Sequence, residues 1–478
     1  MLIRETRRLV GIVCLVLTVG YLGIRLCFDS KRIDSWIGGA LVNFNGDAGP
    51  PAPLAQSTSP ASASALQQGP SVAAIALLGD VDPLATHNQV FSVSTKDKKF
   101  FYIKFGDQKA MNPNIIPHPL RENTWIIVAQ KYKGPDDQQV WFSELVCSAT
   151  FRDDGALACD ESKDGPPSTL PIAATFGDKC EGDLSYFGLN VGPHDARVFF
   201  GPRAPYALYG SQSAFTCFGQ WVQDFRMLFP WGLDMSQENR FRLGTELQRP
   251  SAPTNEHPLL HPSHFQSSQY LRVEKNWFLF WDRDDRVYAH YDLAPRRVFA
   301  ALQENGAAGP DLAPIAQSTD EKCLARLLPK VALTLESLHQ STNSLAITLC
   351  RRADPSCEPH ANNTFVFTLF QHKSFYDFHG VYEPYALLFR QRAPFEVYGI
   401  SRKPIWIHGR EQRADGGEHH QSQMFYVVSM SWKARGQKYH GYLDDVLFLA
   451  FGIEDENTAG IDVVAGDVLR GLGLCSEP

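Results

Sequence analysis

The sequence predicts an all-β domain carried behind a membrane-spanning helix and a disordered stem. Three features predict it: an aromatic-rich chain punctuated by glycine and proline, an uncharged apolar run near the N-terminus, and a Pro/Ala/Ser-rich stretch after that run.

The composition comes first. Aromatic residues make up 12% of the 478, with 31 Phe, 16 Tyr and 9 Trp, beside 36 Gly and 31 Pro. Such chains favour strands joined by tight turns, and rings of this number are accounted for by burial in a β core. The formal net charge of −7 excludes a globally basic nucleic-acid binder.

Residues 1–8, with Arg4, Arg7 and Arg8, read as a cytoplasmic tail. Leu9 to Ile24 carries no charge, and the run extends to Phe28 if Arg25 snorkels to the interface. Residues 9–28 are therefore read as an uncleaved signal anchor, short enough to suit a thin early-secretory membrane. Arg25, Lys31 and Arg32 follow it, so the charge asymmetry is small. The alternative, a cleaved signal peptide, would need a small-x-small site that does not follow the run. Residues 29–75 include GDAGPPAPLAQSTSPASASALQQGPS, too poor in large apolar side chains to fold, and read as a stem. The expectation is a single-pass type II protein of the Golgi or endoplasmic reticulum, with residues 76–478 in the lumen.

Cysteine usage agrees with that compartment. Beyond Cys14 and Cys27 there are eight: Cys147, Cys159, Cys180, Cys217, Cys323, Cys350, Cys357 and Cys475. An even number behind a membrane signal predicts disulfides, and the lack of a Cys-x-x-Cys pair argues against zinc. Cys350 and Cys357 bracket a turn-rich stretch, and Cys147 and Cys159 lie opposite each other around Arg152–Gly155. Cys180 with Cys217 and Cys323 with Cys475 follow by elimination. Asn362-Asn363-Thr364 is a glycosylation sequon.

After residue 70 the chain reads as strand after strand: Thr124–Tyr132, Val140–Val146, Trp277–Trp281, Arg286–His290, Leu345–Cys350, Thr364–Phe370, Tyr385–Phe389, Phe425–Met430 and Val446–Phe451. Long amphipathic helical patterns are scarce and no short tandem repeat is visible. Many divergent strands fit a β-propeller or a large sandwich.

Several polar motifs interrupt these strands. Val191–Phe199 places Asp195 and Arg197 two apart, on one face if extended; a carboxylate beside a guanidinium stays ionised and suits proton acceptance, or is simply a structural ion pair. Lys275-Asn276 opens a hairpin and suits phosphate or hydroxyl groups, or a solvated strand edge. Asp282-Arg283-Asp284 resembles a metal-holding pair, but its place between FLFW and RVYAHYD makes a charged turn the simpler reading. Tyr439-His440-Gly441-Tyr442-Leu443-Asp444-Asp445 precedes an apolar strand; it is equally a site edge or a turn whose carboxylates accept from backbone N–H groups.

Taken in order, Asn112-Pro113-Asn114-Ile115-Ile116-Pro117, His194-Asp195-Ala196-Arg197, Glu274-Lys275-Asn276-Trp277 and the Tyr439–Asp445 segment resemble the motif series of the five-bladed β-propeller family of β-mannoside phosphorylases and the related eukaryotic β-1,2-mannosyltransferases. The resemblance covers about residues 80–478. It implies a five-bladed propeller, with Asp195 as the proton-transfer residue and Arg197, Asn112, Lys275, Asn276, Tyr439, His440, Asp444 and Asp445 as substrate contacts. His379 in FHGVYEPY loosely matches a further histidine of the family. Two departures stand out: His194 replaces the family glutamate and Ala196 its proline, so half of the acidic pair is absent.

The function expected is transfer of a sugar, mannose by resemblance, from a nucleotide-sugar or sugar-phosphate donor to a glycan acceptor. No metal or other cofactor is called for, because cationic side chains can stabilise a departing phosphate. A glycoside hydrolase or phosphorylase, and a non-catalytic glycan-binding propeller, stay open beside it.

Overall fold

The computed structural model describes residues 86–134, 141–230, 239–250, 270–332, 334–412 and 421–477. The expected tail, anchor and stem lie outside them. Among the described residues no helix is long and apolar enough to cross a membrane.

The described chain is mostly β, and its strands run in chain order. β1 (Asn88–Val90) and β2 (Phe101–Lys104) precede a first antiparallel group of β3 (Ala110–Pro117), β4 (Trp125–Lys131), β5 (Glu144–Phe151) and β6 (Leu157–Cys159), with β7 (Ser168–Thr169) beside β5. A second group holds β8 (His194–Phe200), β9 (Pro205–Gln212), β10 (Phe218–Asp224) and β11 (Thr245–Glu246). A third holds β12 (Phe278–Trp281), β13 (Val287–Asp292) and β14 (Val298–Ala301). The fourth comprises β15 (Glu336–Gln340), β16 (Leu345–Thr348), β17 (Thr364–Tyr376), β18 (His379–Arg390) and β19 (Val397–Ser401). After β20 (Ile405–Ile407) the fifth group uses β21 (Phe425–Trp432), β23 (Val446–Ile453) and β24 (Asn457–Val464). β22 (His440–Tyr442) follows β21 in sequence but pairs in parallel with β16 of the fourth group, and β25 (Leu472–Leu474) ends the series.

Chain ends seal the arrangement. β2 adds to the fifth group antiparallel to β24, with Phe101 opposite Gly460, and touches β6 in parallel. β25 adds to β19, and β1 pairs with β20. The strands form five sheets, not the two a sandwich requires.

Neighbouring groups are tied together by amide side chains. Asn114 of β3 donates to Ala196 O (2.7 Å) and accepts from Val198 N (2.9 Å) of β8. Asn343, just before β16, donates to Met430 O (3.0 Å) and accepts from Met430 N (2.9 Å) of β21. Ser344 donates to Leu279 O of β12 (2.7 Å), and Ser429 to Pro113 O of β3 (3.3 Å). First strands meeting side-on cannot form a regular ladder, so primary amides, which offer both a donor and an acceptor, satisfy the buried backbone instead. These contacts join the first group to the second, the third to the fourth, the fourth to the fifth and the fifth back to the first. Outward of them lie apolar layers: Phe278, Phe280, Phe299, Phe389 and Phe395 pack between the third and fourth groups.

Every expected strand forms, with shifted ends. Thr364–Phe370 and Tyr385–Phe389 lengthen to β17 and β18, because Gln371, His372, Lys373 and Ser374 continue the pairing with polar side chains. Val140–Val146 moves to β5, where Ile127 faces Cys147. The bridges Cys147–Cys159, Cys180–Cys217, Cys323–Cys475 and Cys350–Cys357 all form.

Candidate active site

The first strands of the first two groups each carry a bulge, and a third strained residue precedes β12. Register breaks between Met111 and Asn114 in β3 and between His194 and Arg197 in β8. Asn112, Asp195 and Asn276 take left-handed backbone conformations, with φ of 54°, 51° and 64°. Asparagine and aspartate tolerate this conformation best, and a bulge re-aims the side chain it carries. Three such residues meeting in one place mark a candidate site.

They do meet. Asn112 Nδ2 donates to Asp195 Oδ1 at 2.7 Å, and Lys275 Nζ stands 3.4 Å from Asp195 Oδ2. Arg197 donates through Nη2 to Asn276 Oδ1 (2.8 Å) and through Nε to Ser341 O (2.7 Å). Tyr426, at the start of β21, also donates to Asn276 Oδ1 (3.3 Å). Five of the expected residues thus form one cluster, although the β8 bulge means Asp195 and Arg197 do not follow simple alternation. Asn112 Oδ1 is buried without a hydrogen-bond donor among the described residues.

Electrostatics favour a charged Asp195. Burial opposes ionisation, but Lys275, with help from the Asn112 hydrogen bond and Arg197, outweighs it and holds the carboxyl below its ordinary range. The side chain still keeps 36% of its surface open to solvent. Burial in turn draws Lys275 below the usual ammonium range.

Residues with no motif to announce them complete the surroundings. Asp455, on the β23–β24 turn with φ 51°, is reached by solvent yet ringed by protein. Burial, then Asp195 and Glu454, push its carboxyl up to about 6. Buried Lys373 sits 5.9 Å from the Tyr382 ring centroid, and the Tyr382 and Tyr426 rings meet edge-on at 4.9 Å. Buried His339 is held near 3, first by burial and then by Lys373 and Lys275, and is therefore neutral. His379 is buried at the edge of this region. It contacts Ser422 O at 3.1 Å, and its Nδ1 lies 3.7 Å from Glu454, the neighbour of Asp455.

The Tyr439–Asp445 segment is elsewhere, so four of the expected contacts, Tyr439, His440, Asp444 and Asp445, do not join this cluster. Tyr439 is a core residue whose hydroxyl bonds Ser344 Oγ (2.8 Å) and accepts from Trp281 N (3.3 Å). His440 pairs with Thr348 Oγ1 at 2.7 Å. Asp444 accepts from the backbone of Arg352 and Ala353, while Asp445 accepts from the Arg352 guanidinium, Gln437 and Tyr442 N. The cause is strand direction. β21 begins beside Asn276 and runs away from it for eight residues, roughly 26 Å, before this segment starts. Asp282 likewise caps its own turn, accepting from Asp284 N and Arg286 N. No group of three or more His, Cys, Asp or Glu is placed to hold a metal among the described residues.

No family model matches the chain, and no curated protein matches it. Among solved structures it is similar to a glycosyl hydrolase from Bacteroides ovatus, at 9% identity and a TM-score of 0.36, covering 78% of this chain and 90% of that one. It is also similar to MPT-1, a GDP-Man-dependent mannosyltransferase from Leishmania mexicana, at 8% identity and a TM-score of 0.37, covering 78% and 89%. A thermostable family-43 glycoside hydrolase stands at 10% identity and a TM-score of 0.32, covering 78% and 94%. Likenesses at these scores assign the chain to no family.

Proposed function

We propose that the chain is a five-bladed β-propeller glycosyltransferase, moving mannose from a phosphate-bearing donor to a glycan acceptor within the secretory lumen. One observation carries this reading: an ionised, solvent-reachable carboxylate, Asp195, is gripped by Asn112 and Lys275 at the meeting point of three strand groups. Asp195 takes the acceptor proton, directly or through a sugar hydroxyl. Lys275, with Lys373 close by, balances the charge of the departing phosphate. Tyr382 and Tyr426 give sugar rings an apolar wall, and Asn112 Oδ1 offers an acceptor to a hydroxyl. Four disulfides suit an oxidising lumen behind a type II anchor.

One observation favours hydrolysis or phosphorolysis instead. Asp195 is held low and Asp455 is pushed up to about 6, the separation that divides base from acid in a carboxylate pair. The purified luminal chain should be offered nucleotide-mannose, mannose 1-phosphate or water, each with a manno-oligosaccharide. Transfer from nucleotide-mannose that survives Asp455→Asn supports the transferase. Release of free mannose that declines as pH rises through about 6, and is lost in Asp455→Asn, supports the hydrolase, because an acid must still hold its proton. Turnover with none of the three would reject both.

A further inference from the structure

Behind Asp195 lies a carboxyl group that touches no part of the cluster's open side. Glu144, the first residue of β5, is fully buried. It stands opposite Gln130 of β4, so the two side chains lie next to each other. The β8 bulge withdraws the N–H groups of Asp195 and Ala196 from the ladder, and these two residues collect them. Asp195 N donates to Gln130 Oε1 at 2.8 Å, and Ala196 N donates to Glu144 Oε1 at 3.2 Å. Glu144 Oε2 is buried with no hydrogen-bond partner among the described residues.

We propose that Glu144 is a positioning residue that acts as a neutral carboxylic acid: with Gln130 it holds the two freed N–H groups of the β8 bulge and so fixes the strained backbone that aims Asp195. This rests on Asp195 being the group the site uses. The reasoning is one of solvation. A fully buried carboxylate with one long N–H donor, and a second oxygen that meets no donor among the described residues, would be far costlier than the acid form. Burial, opposed in part by the Ala196 hydrogen bond and assisted by the Asp195 charge, accordingly pushes Glu144 up to about 8. Along β8 the nearest titratable groups are Asp195 and His194. Burial holds the latter near 3, so it is uncharged. β4 presents the amide of Gln130, and β7 carries only Ser168 and Thr169. Above about pH 8 a second negative charge would therefore appear directly behind the first.

The test uses Glu144→Gln, Glu144→Ala and Gln130→Ala in the whole luminal chain. Glu144→Ala and Gln130→Ala should each lower kcat about tenfold to a hundredfold with KM little changed, the result of a misaimed base. Glu144→Gln keeps the acceptor and cannot ionise, so it should recover most of that loss and remove an ionisation near pH 8 from the rate profile. Stability gives a readout independent of activity. Between about pH 5 and 8 folded Glu144 keeps a proton that the unfolded chain has released, so the wild type loses stability as pH rises. The Tm of Glu144→Gln minus that of the wild type should climb across this window and level off above it. A flat Tm difference would mean an ionised Glu144, and a Glu144→Gln as impaired as Glu144→Ala would mean that the carboxyl itself reacts; either overturns the proposal. A fully active Asp195→Asn would instead remove the functional reading, and the Tm difference would still decide the protonation state of Glu144.

Discussion

Asp195→Asn should reduce turnover at least about a hundredfold, the usual contribution of a general base, while lowering the unfolding temperature by a few degrees at most. The substitution preserves the shape of the side chain and an oxygen for Asn112 Nδ2. It also suits the backbone, since asparagine readily adopts the φ of 51° found there. What disappears is the basic carboxylate. Lys275 loses its counter-charge and is itself only 10% exposed, but the Asp195 side of the pair is over a third exposed, so water takes over part of that role, and burial already draws the ammonium towards its neutral form. Asp195 is held below its ordinary range, so its loss of charge in acid lies below the usual carboxylate region and leaves activity near neutral pH intact. Asp284→Asn is the control. Asp284 sits at an exposed turn, with its carboxylate 3.5 Å from Arg286, and its replacement should leave turnover within about twofold, as exposed ion pairs carry little. An active Asp195→Asn, or an inactive Asp284→Asn, would reject this site.

Much of the fold was legible because strands announce themselves locally. FLFW, TFVFTLF and VLFLAFGI are apolar runs bounded by turns, and each becomes a buried strand. What joins one group to the next was not legible. Asn114, Asn343 and Gln371 bridge the groups through paired hydrogen bonds, yet in sequence nothing sets these amides apart from the other polar residues at strand starts and ends.

The site divides in the same way. Asn112, Asp195, Arg197, Lys275 and Asn276 converge because each lies at the start of a first strand, and motif order carries that information. Asp444 and Asp445 look equivalent in sequence but follow β21 instead of preceding it, and a strand's two ends point to opposite faces of the molecule. Asp455 was missed for the complementary reason: Glu454-Asp455-Glu456 reads as a solvated turn, and only the return of β23 towards the start of β21 brings it near Asp195. Glu144 gave no signal at all, since its role depends on a bulge in a strand fifty residues later.

Removing the Cys323–Cys475 bridge should cost more stability than removing any other of the four. It closes a separation of 152 residues, against 7 for Cys350–Cys357. Loop-closure entropy puts the two losses at about 5 and about 2 kcal/mol respectively. The local structure points the same way. β25 is three residues long and holds to β19 through the register Gly399 to Leu474. Its other support comes from the helix Gln317–Leu327, where Arg326 donates to Leu474 O at 2.6 Å and Cys323 is buried. A strand this short does not hold its place by backbone bonds alone. Without the bridge it should leave, uncovering the β19 edge and the apolar side of the helix, and an open strand edge invites association. Paired alanine substitutions, followed by urea unfolding and by hydrogen exchange at the β25 amides, test this directly. The Cys323/Cys475 pair should lose the most free energy and expose β25 first, while Cys350→Ala with Cys357→Ala leaves β25 protected. Equal losses for the two pairs would show that the long closure is not what holds the C-terminal strand in place.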